Sequence, residues 1–578
     1  MTISQQILWT PDANFIEQSN LKSFEKWLNT HKGLTFDNYQ KLWKWSVENI
    51  ELFWECLWQY FNIKSHTEYS SVLSSHSMPG AKWFEGATLN YAEHIFRNKK
   101  QGKTALHFKN ESNTLSSMKW EAFEQKVSSV QQFLIKNDVS KGDCVAGYMS
   151  NIPETIIVFL AVNSIGAIWT CCSPDFGVNT VIDRFEQVKP KLLFAVNGYQ
   201  YNGKQKDRTA EINQIQQGIS SINNVVLIKN ISVQKDTCNL NKATPWNEII
   251  SDKTTDLEFT PVEFNHPIWV LYSSGTTGKP KAITHSHGGV LLEHLKYMHF
   301  HNDVKPGENF FWFTTTGWMM WNFLQASMLV GAVPVLYDGS PAYRNLNSLW
   351  ELAAQLPIHH FGTSAPYLTA CMKKGLALGS SYDLSALRSI GSTGAPLPPE
   401  TFEWVYQNVS QDVWLCSMSG GTDVCTAFVG GCPTEPVYKG AIQFEDKWCH
   451  GDWINIYDNG SLMIQGRSDA TLNRKGIRIG TAEIYAVLDK IPGIIDSLIV
   501  DIEKGNGDDI MPLFVVLEKG IKLTEIPYTL SGKKMEIPVK KALMGMDISK
   551  SVNPDAIRNP EALTFFINYS TEFRKRFF

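Results

Sequence analysis

Apolar positions along the chain change their period once, near residue 100. Up to about residue 95 they recur at three- and four-residue spacing, as in NYQKLWKWSVENIELFWECLWQYF (38–61). That spacing puts one apolar stripe on a helix and predicts a helical N-terminal segment dense in Trp and Phe. From about Thr104 the pattern becomes short apolar runs separated by helical stretches. CVAGYM (144–149), AIWTCC (167–172), WVLYSS (269–274), NFFWFT (309–314), VPVLYD (333–338), HHFGTS (359–364), LRSIGSTG (387–394) and VWLCSMSGG (413–421) all read as strands. Between the first two, PETIIVFLAVNSIG places Pro153 at a helix start, where its missing N–H costs nothing. Uninterrupted apolar runs alternating with helices predict an α/β fold with parallel strands covered on both faces. Several of these runs end in Ser, Thr and Gly, where ligands sit in open α/β sheets. Segments 199–223 and 229–260 are polar and predict surface excursions. After about Gly466 a smaller, more charged region begins.

Composition narrows the classes. The 578 residues carry 53 Lys+Arg against 57 Asp+Glu, and 43% are apolar, which excludes a disordered or collagen-like chain. No Lys/Arg-rich run provides a nucleic-acid footprint. The apolar stretch Ile156–Cys172 is broken by Asn163, Ser164, Gly166 and Thr170, so it predicts a helix and then a strand, not a membrane span. The N-terminus, MTISQQILWTPD, has neither the basic region nor the apolar core of a signal peptide. Ten cysteines are scattered without a CxxC pair. Reduced thiols and a cytoplasmic protein are the expectation.

The strongest chemical signal is YSSGTTGKPK (Tyr272–Lys281), directly after the apolar run Ile268–Leu271. Small residues at Ser273, Ser274, Gly275, Thr276, Thr277 and Gly278 let backbone N–H groups approach an anion, hydroxyls add donors, and Lys279 and Lys281 add charge. It is not the nucleotide loop GxxxxGK[ST], because two residues separate its glycines and Pro280 follows Lys279. A hairpin turn with no ligand is the alternative.

YSSGTTGKPKAITHSHGG resembles the signature of the adenylate-forming acyl-CoA synthetase superfamily. MPGAKWFEGATLNYAEH (78–94) is similar to the entry segment of its acetate- and acetoacetate-activating members, and CCSPDFG, TTGWMMWN, YDGSP, SGGTD and IPVKKALMG narrow the resemblance to the acetoacetate-activating ones. The resemblance runs from about residue 35 to the C-terminus. It implies a large N-terminal part of stacked, mostly parallel sheets (96–467, behind the helical segment 1–95) and a small, mobile α+β C-terminal part (468–578). It implies ATP-dependent ligation of acetoacetate to coenzyme A through an acyl-AMP, with Mg2+. The partners are then small molecules, with no nucleic acid and no membrane span.

The same resemblance assigns residues. Gly394, Ala395 and Pro396 match the adenine loop, although GSTGAPL alone reads as an ordinary strand-to-helix turn. Thr422 takes the α-phosphate position and Asp423 the metal carboxylate; on sequence alone Asp423 serves equally as a helix cap. Asp452 matches the ribose carboxylate. Arg467 would reach ribose or phosphate, Asp469 would be the hinge, Gly476 would lie beside the pantetheine arm of coenzyme A, and Arg478 would neutralise phosphate. Lys533, in SGKK, matches the catalytic lysine and rests wholly on the resemblance. Trp318 is a candidate wall of the acyl pocket, with core packing as its alternative. Gly420, where acetate-specific relatives carry a bulky aromatic, would leave room for a longer acid.

Two stretches of the family pattern are absent. After VYKGAIQF (437–444) the chain passes almost directly to HGDW (450–453), and after LEKGIKLT (517–524) directly to EIPYTLSGKK (525–534). Such losses predict unpaired strand edges and a depleted C-terminal core. A ligase for another short acid, such as butyrate, and a non-catalytic chain that only binds nucleotide are the alternative readings.

Overall fold

A computed structural model describes residues 6–577 apart from 113, 233–239, 241, 251–255, 274–279, 446–451, 457–460, 468–471, 475–476, 480, 490, 503–509, 519–522, 531–533, 549–551 and 553–556. Of 273, 444–445, 452–456, 464–467, 472–474, 477–479, 481–483 and 486 it describes only the backbone.

Two seven-stranded sheets build the large part. The first runs in the order Ala243–Pro245, Asn224–Ile228, Leu192–Val196, Cys144–Tyr148, Ile168–Cys172, Pro267–Ser273, Lys281–Ser286. The second runs Trp414–Ser417, Ser389–Thr393, His360–Ser364, Asn309–Trp312, Val333–Asp338, Thr104–Asn110, Ser116–Lys119. In each, six strands are parallel and the last is an antiparallel edge. Central strands such as Cys144–Tyr148 and Leu192–Val196 are buried at every residue, so their apolar runs are continuous and do not alternate.

The helix Pro153–Ser164 begins on its proline and buries every residue except Glu154. It shares one core with Trp169 and Trp269 of the first sheet and Phe310, Trp312 and Leu336 of the second. At its polar end Asn163 Nδ2 donates to Ile268 O (3.2 Å), and Asn163 O accepts from Asn90 Nδ2 (2.9 Å).

The N-terminal helical pattern holds, with one break. The run 38–61 forms two helices, Tyr39–Glu48 and Ile50–Tyr60, because Asn49 leaves the helical region (φ −125°, ψ 53°). Asn38 caps the first by accepting from Lys41 N–H. The same segment also contains strands: Ile7–Trp9 pairs with Val437–Tyr438, and Thr88–Leu89 with Val262–Glu263. The polar segment 199–223 is more structured than its composition predicts. It holds most of the hairpin Gly198–Tyr201/Lys204–Asp207 and the helix Thr209–Gly218, whose Ile212 and Ile215 are fully buried.

The C-terminal part has its own core of Leu498, Val516, Ile526, Val539, Leu543, Phe566 and Phe573. At the first absent stretch the flanking segments still find backbone partners. Phe444–Glu445 adds to Thr426–Gly430, and Ile442 exchanges backbone hydrogen bonds with Leu462 (2.7 and 2.9 Å). At the second, Tyr528 bridges Lys534 and Thr529 bridges Ile557. Among the described residues no helix is long and apolar enough to cross a membrane.

Candidate active site

The C-terminal ends of both sheets meet, and the strings CCSPDFG and TTGWMMWN come together there. Phe176, in the loop after strand Ile168–Cys172, would lie 2.7 Å from a Cβ on Gly317, in the loop after strand Asn309–Trp312. Thr316 Oγ1 donates to Met149 O, just past the end of strand Cys144–Tyr148. Asn151 Nδ2 donates to Tyr337 O (3.3 Å). These contacts tie CCSPDFG and TTGWMMWN into one surface.

Strand Pro267–Ser273 pairs antiparallel with Lys281–Ser286, Ser273 opposite Lys281, so the phosphate-loop string is a hairpin connection. Ser274, Gly275, Thr276, Thr277, Gly278 and Lys279 lie outside the described residues. The flanks are firmly held. Thr170 Oγ1 lies 2.9 Å from Val270 O and 3.2 Å from the Tyr272 hydroxyl, and Gln187 Nε2 donates to Pro280 O (3.0 Å). Burial pushes the Tyr272 phenol well above its ordinary value, so it is a neutral support. Lys281 is exposed at the head of the exit strand.

Gly394, Ala395 and Pro396 are exposed directly after the fully buried strand Ser389–Thr393. Gly394 has φ +89°, and a Cβ there would stand 3.5 Å from Trp318 Cζ2. The half-buried Trp318 packs on the main core with one part and faces this loop with another. The residue proposed for the acyl pocket and the loop proposed for adenine are therefore neighbours.

Thr422 and Asp423 occupy the turn between strands Ser419–Gly421 and Thr426–Gly430. Cys425 N–H donates to Gly421 O (3.0 Å), and Cys425 is left-handed at φ +53°. No helix follows, so Asp423 is not a helix cap; its carboxylate is exposed at the turn. At Gly420 a Cβ would fall 1.9 Å from Thr426 O. Strand pairing therefore demands glycine there by itself, a cause that competes with the expected widening of an acyl pocket.

Sequence reasoning missed the groups beneath this turn. His285 Nε2 lies 2.9 Å from Asp423 O, and His294 Nε2 lies 3.0 Å from Cys425 O. Burial lowers both imidazoles, His294 to about 4. His285 stands in AITHSHGG, but nothing in that string names its partner.

Of the remaining assigned residues, Asp452 and Arg467 are direct register partners in the hairpin Asp452–Ile456/Leu462–Arg467. Arg478 pairs with Asn473 in the next hairpin. Asp469, Gly476 and Lys533 lie outside the described residues. Next to Lys533, Lys534 is anchored: its ammonium is 2.9 Å from Asp496 Oδ1, donates to Ser497 O and covers the ring of Tyr485.

Comparisons with known proteins bear on the family and the fold. Residues 93–442 match the family model described as AMP-binding enzyme, and residues 39–95 that of the acetyl-coenzyme A synthetase N-terminus. The chain is 35% identical to the acetoacetyl-coenzyme A synthetase of Rhizobium meliloti (strain 1021), across 97% of this chain and 98% of that protein. It is 32% identical to the acetoacetyl-CoA synthetase of Xenopus tropicalis, across 97% of each. The solved acetoacetyl-CoA synthetase from Streptomyces lividans superposes with a TM-score of 0.92 at 36% identity, covering 99% of this chain and all of that one. The Rhizobium alignment spans 645 positions against the 578 residues here, so at least 67 of its positions have no counterpart in this chain. By family model, sequence and fold, the chain belongs to the AMP-binding enzyme family, among the acetoacetyl-CoA synthetases.

Proposed function

We propose that this chain joins acetoacetate to coenzyme A in two half-reactions through acetoacetyl-AMP. In the first, a carboxylate oxygen of acetoacetate attacks the α-phosphorus of ATP, and the bond from that phosphorus to the bridging oxygen breaks to release pyrophosphate. In the second, the deprotonated thiol of coenzyme A attacks the acyl carbon, and AMP leaves with the bonding electron pair.

Adenine lies along Gly394, Ala395 and Pro396, with Trp318 at the boundary between the base and the acyl group. Thr422 donates to the α-phosphate, the loop Ser273–Lys281 takes the outer phosphates through its N–H groups, and Asp452 with Arg467 takes the ribose. Lys533 supplies positive charge to the crowded phosphorus as it is attacked, an electrostatic contribution worth roughly 3–4 kcal/mol in comparable sites. Asp469 is the hinge by which the part from 468 onward turns between half-reactions, with Arg478 on phosphate and Gly476 beside the thiol arm.

A divalent cation fits the donors present. Among the described residues no group of three or more His, Cys, Asp or Glu is placed to hold a metal. The exposed Asp423 beside Thr422 offers oxygen donors only, which suits magnesium arriving on the triphosphate. Asp423 would hold that ion, whose chemistry is to neutralise phosphate charge.

The observation that carries the reading is Trp318 standing beside Gly394, just past the end of strand Ser389–Thr393, in a chain matched almost end to end by acetoacetyl-CoA synthetases. A cytoplasmic location is part of the same reading, supported by free thiols at all eight described cysteines. The test is thioester formation from ATP, coenzyme A and an equimolar mixture of acetoacetate, butyrate and acetate. Acetoacetyl-CoA should dominate; a predominance of butyryl-CoA would assign the other acid.

A further inference from the structure

The turn bearing Thr422 and Asp423 carries no secondary structure of its own, yet its inward carbonyls are both taken by histidines. The proton on each ring is fixed by its other neighbour. An indole N–H can only donate, and Trp269 Nε1 lies 3.1 Å from His285 Nδ1. Nδ1 of His285 is therefore the acceptor, and Nε2–H donates to Asp423 O. The second relay has the same logic. Gln325 Nε2 donates to the Tyr91 hydroxyl (3.1 Å), Tyr91 donates to His294 Nδ1 (3.3 Å), and His294 Nε2–H donates to Cys425 O.

His285 has a further property. It lies on the strand Lys281–Ser286 that leaves the phosphate loop, four residues after Lys281 and so on the same face of that strand. One short strand thus begins at the phosphate-loop lysine and ends, 138 residues away in sequence from its partner, on the backbone of Asp423.

We propose that His285 is a positioning residue of the nucleotide site. Its Nε2–H holds the Asp423 carbonyl and so fixes Thr422 and the Asp423 carboxylate relative to the strand Lys281–Ser286, with His294 holding the other end of the turn. The proposal rests on the assignment of Thr422 and Asp423 to the ATP site.

Two substitutions separate this role from packing. Gln carries an amide N–H as far as the Nε2 position, whereas Asn reaches only Nδ1, where its carbonyl still accepts from Trp269. His285→Gln should keep MgATP affinity within about twofold of wild type, and His285→Asn should weaken it about tenfold, the scale for loss of one bond to a partly buried carbonyl. The Mg2+ concentration for half-saturation should rise in parallel. Hydrogen exchange at the Cys425 amide should quicken about tenfold in the Asn variant and little in the Gln variant. If Asn and Gln variants are equally impaired, or if His285→Asn leaves both exchange and MgATP binding at wild-type values, the clamp is refuted. Asp423→Asn serves as the separate control. If it leaves Mg2+-dependent ATP binding unchanged, the placement of Asp423 in the nucleotide site fails, while the Cys425 exchange rate still judges the clamp.

Discussion

The ammonium of Lys534, next in sequence to the proposed catalytic lysine, stands 2.9 Å from Asp496 Oδ1 and 3.9 Å from the ring centroid of Tyr485. Tyr528 completes the group, donating its hydroxyl to Asp496 Oδ2 (2.9 Å). Both ion-pair side chains are about three-quarters buried, so removing the cation leaves a carboxylate with reduced hydration. Lys534→Met should cost the C-terminal part about 2 kcal/mol. That part is also the weaker one: its two-stranded sheet exposes Ile495, Leu513 and Leu517, and a lone two-stranded sheet is marginal. Limited proteolysis should cut wild type first between 491 and 577, and faster in the variant, with the two-sheet part left intact.

Trp318 stands beside Gly394, where the proposed acyl and adenine regions would touch. Trp318→Ala removes the ring that stands beside Gly394 and opens space there. The ratio of kcat/KM for acetoacetate over a longer 3-oxo acid should fall by about tenfold, the usual worth of a methylene-sized change in a pocket. Steady-state kinetics with the two acids in competition measures this. An unchanged ratio would leave Trp318 as core packing.

Glu308 anchors the opposite end of the second sheet. It accepts from His360 Nε2 (2.8 Å) and Arg388 Nη1 (2.7 Å), while Arg388 also pairs with Asp303. Burial would raise its pKa, but the hydrogen bond from His360 and the charge of Arg388 outweigh that and hold it at about 2. A depressed carboxyl contributes stability that is complete above its unfolded value and is lost as pH falls through the folded one. Glu308→Gln should therefore destabilise the fold at pH 7 by about 3 kcal/mol, and its deficit should shrink from pH 4.5 toward pH 2. Urea unfolding of both proteins across that range tests the sign.

Much of this architecture is legible along the chain because parallel strands buried on both faces must be short and continuously apolar. VPVLYD and LRSIGSTG announce themselves, as does the helix that starts at Pro153. The strand ends are legible because Ser, Thr and Gly interrupt those apolar runs, as after Thr393 and Ser417. The helix Thr209–Gly218 is hidden because only three of its residues are buried. The cause acting at Gly420 is hidden because it lies in the backbone of Thr426, across a hairpin whose register no local pattern reveals. His285 is hidden for a similar reason: a histidine's partner is a matter of tertiary geometry, here a carbonyl in a distant turn.

The central claim is adenylation of acetoacetate by this chain, with Lys533 as the cation that assists it. The most direct measurement is acetoacetate-dependent exchange of pyrophosphate into ATP by the purified 578-residue protein and its Lys533→Ala variant. Exchange that requires acetoacetate, is weaker with butyrate and acetate, and falls at least a hundredfold in the variant while MgATP still binds is the predicted result. A cooperatively folded wild-type protein that binds MgATP but shows no exchange with acetoacetate would contradict it, and exchange undiminished in Lys533→Ala would contradict the role of the lysine.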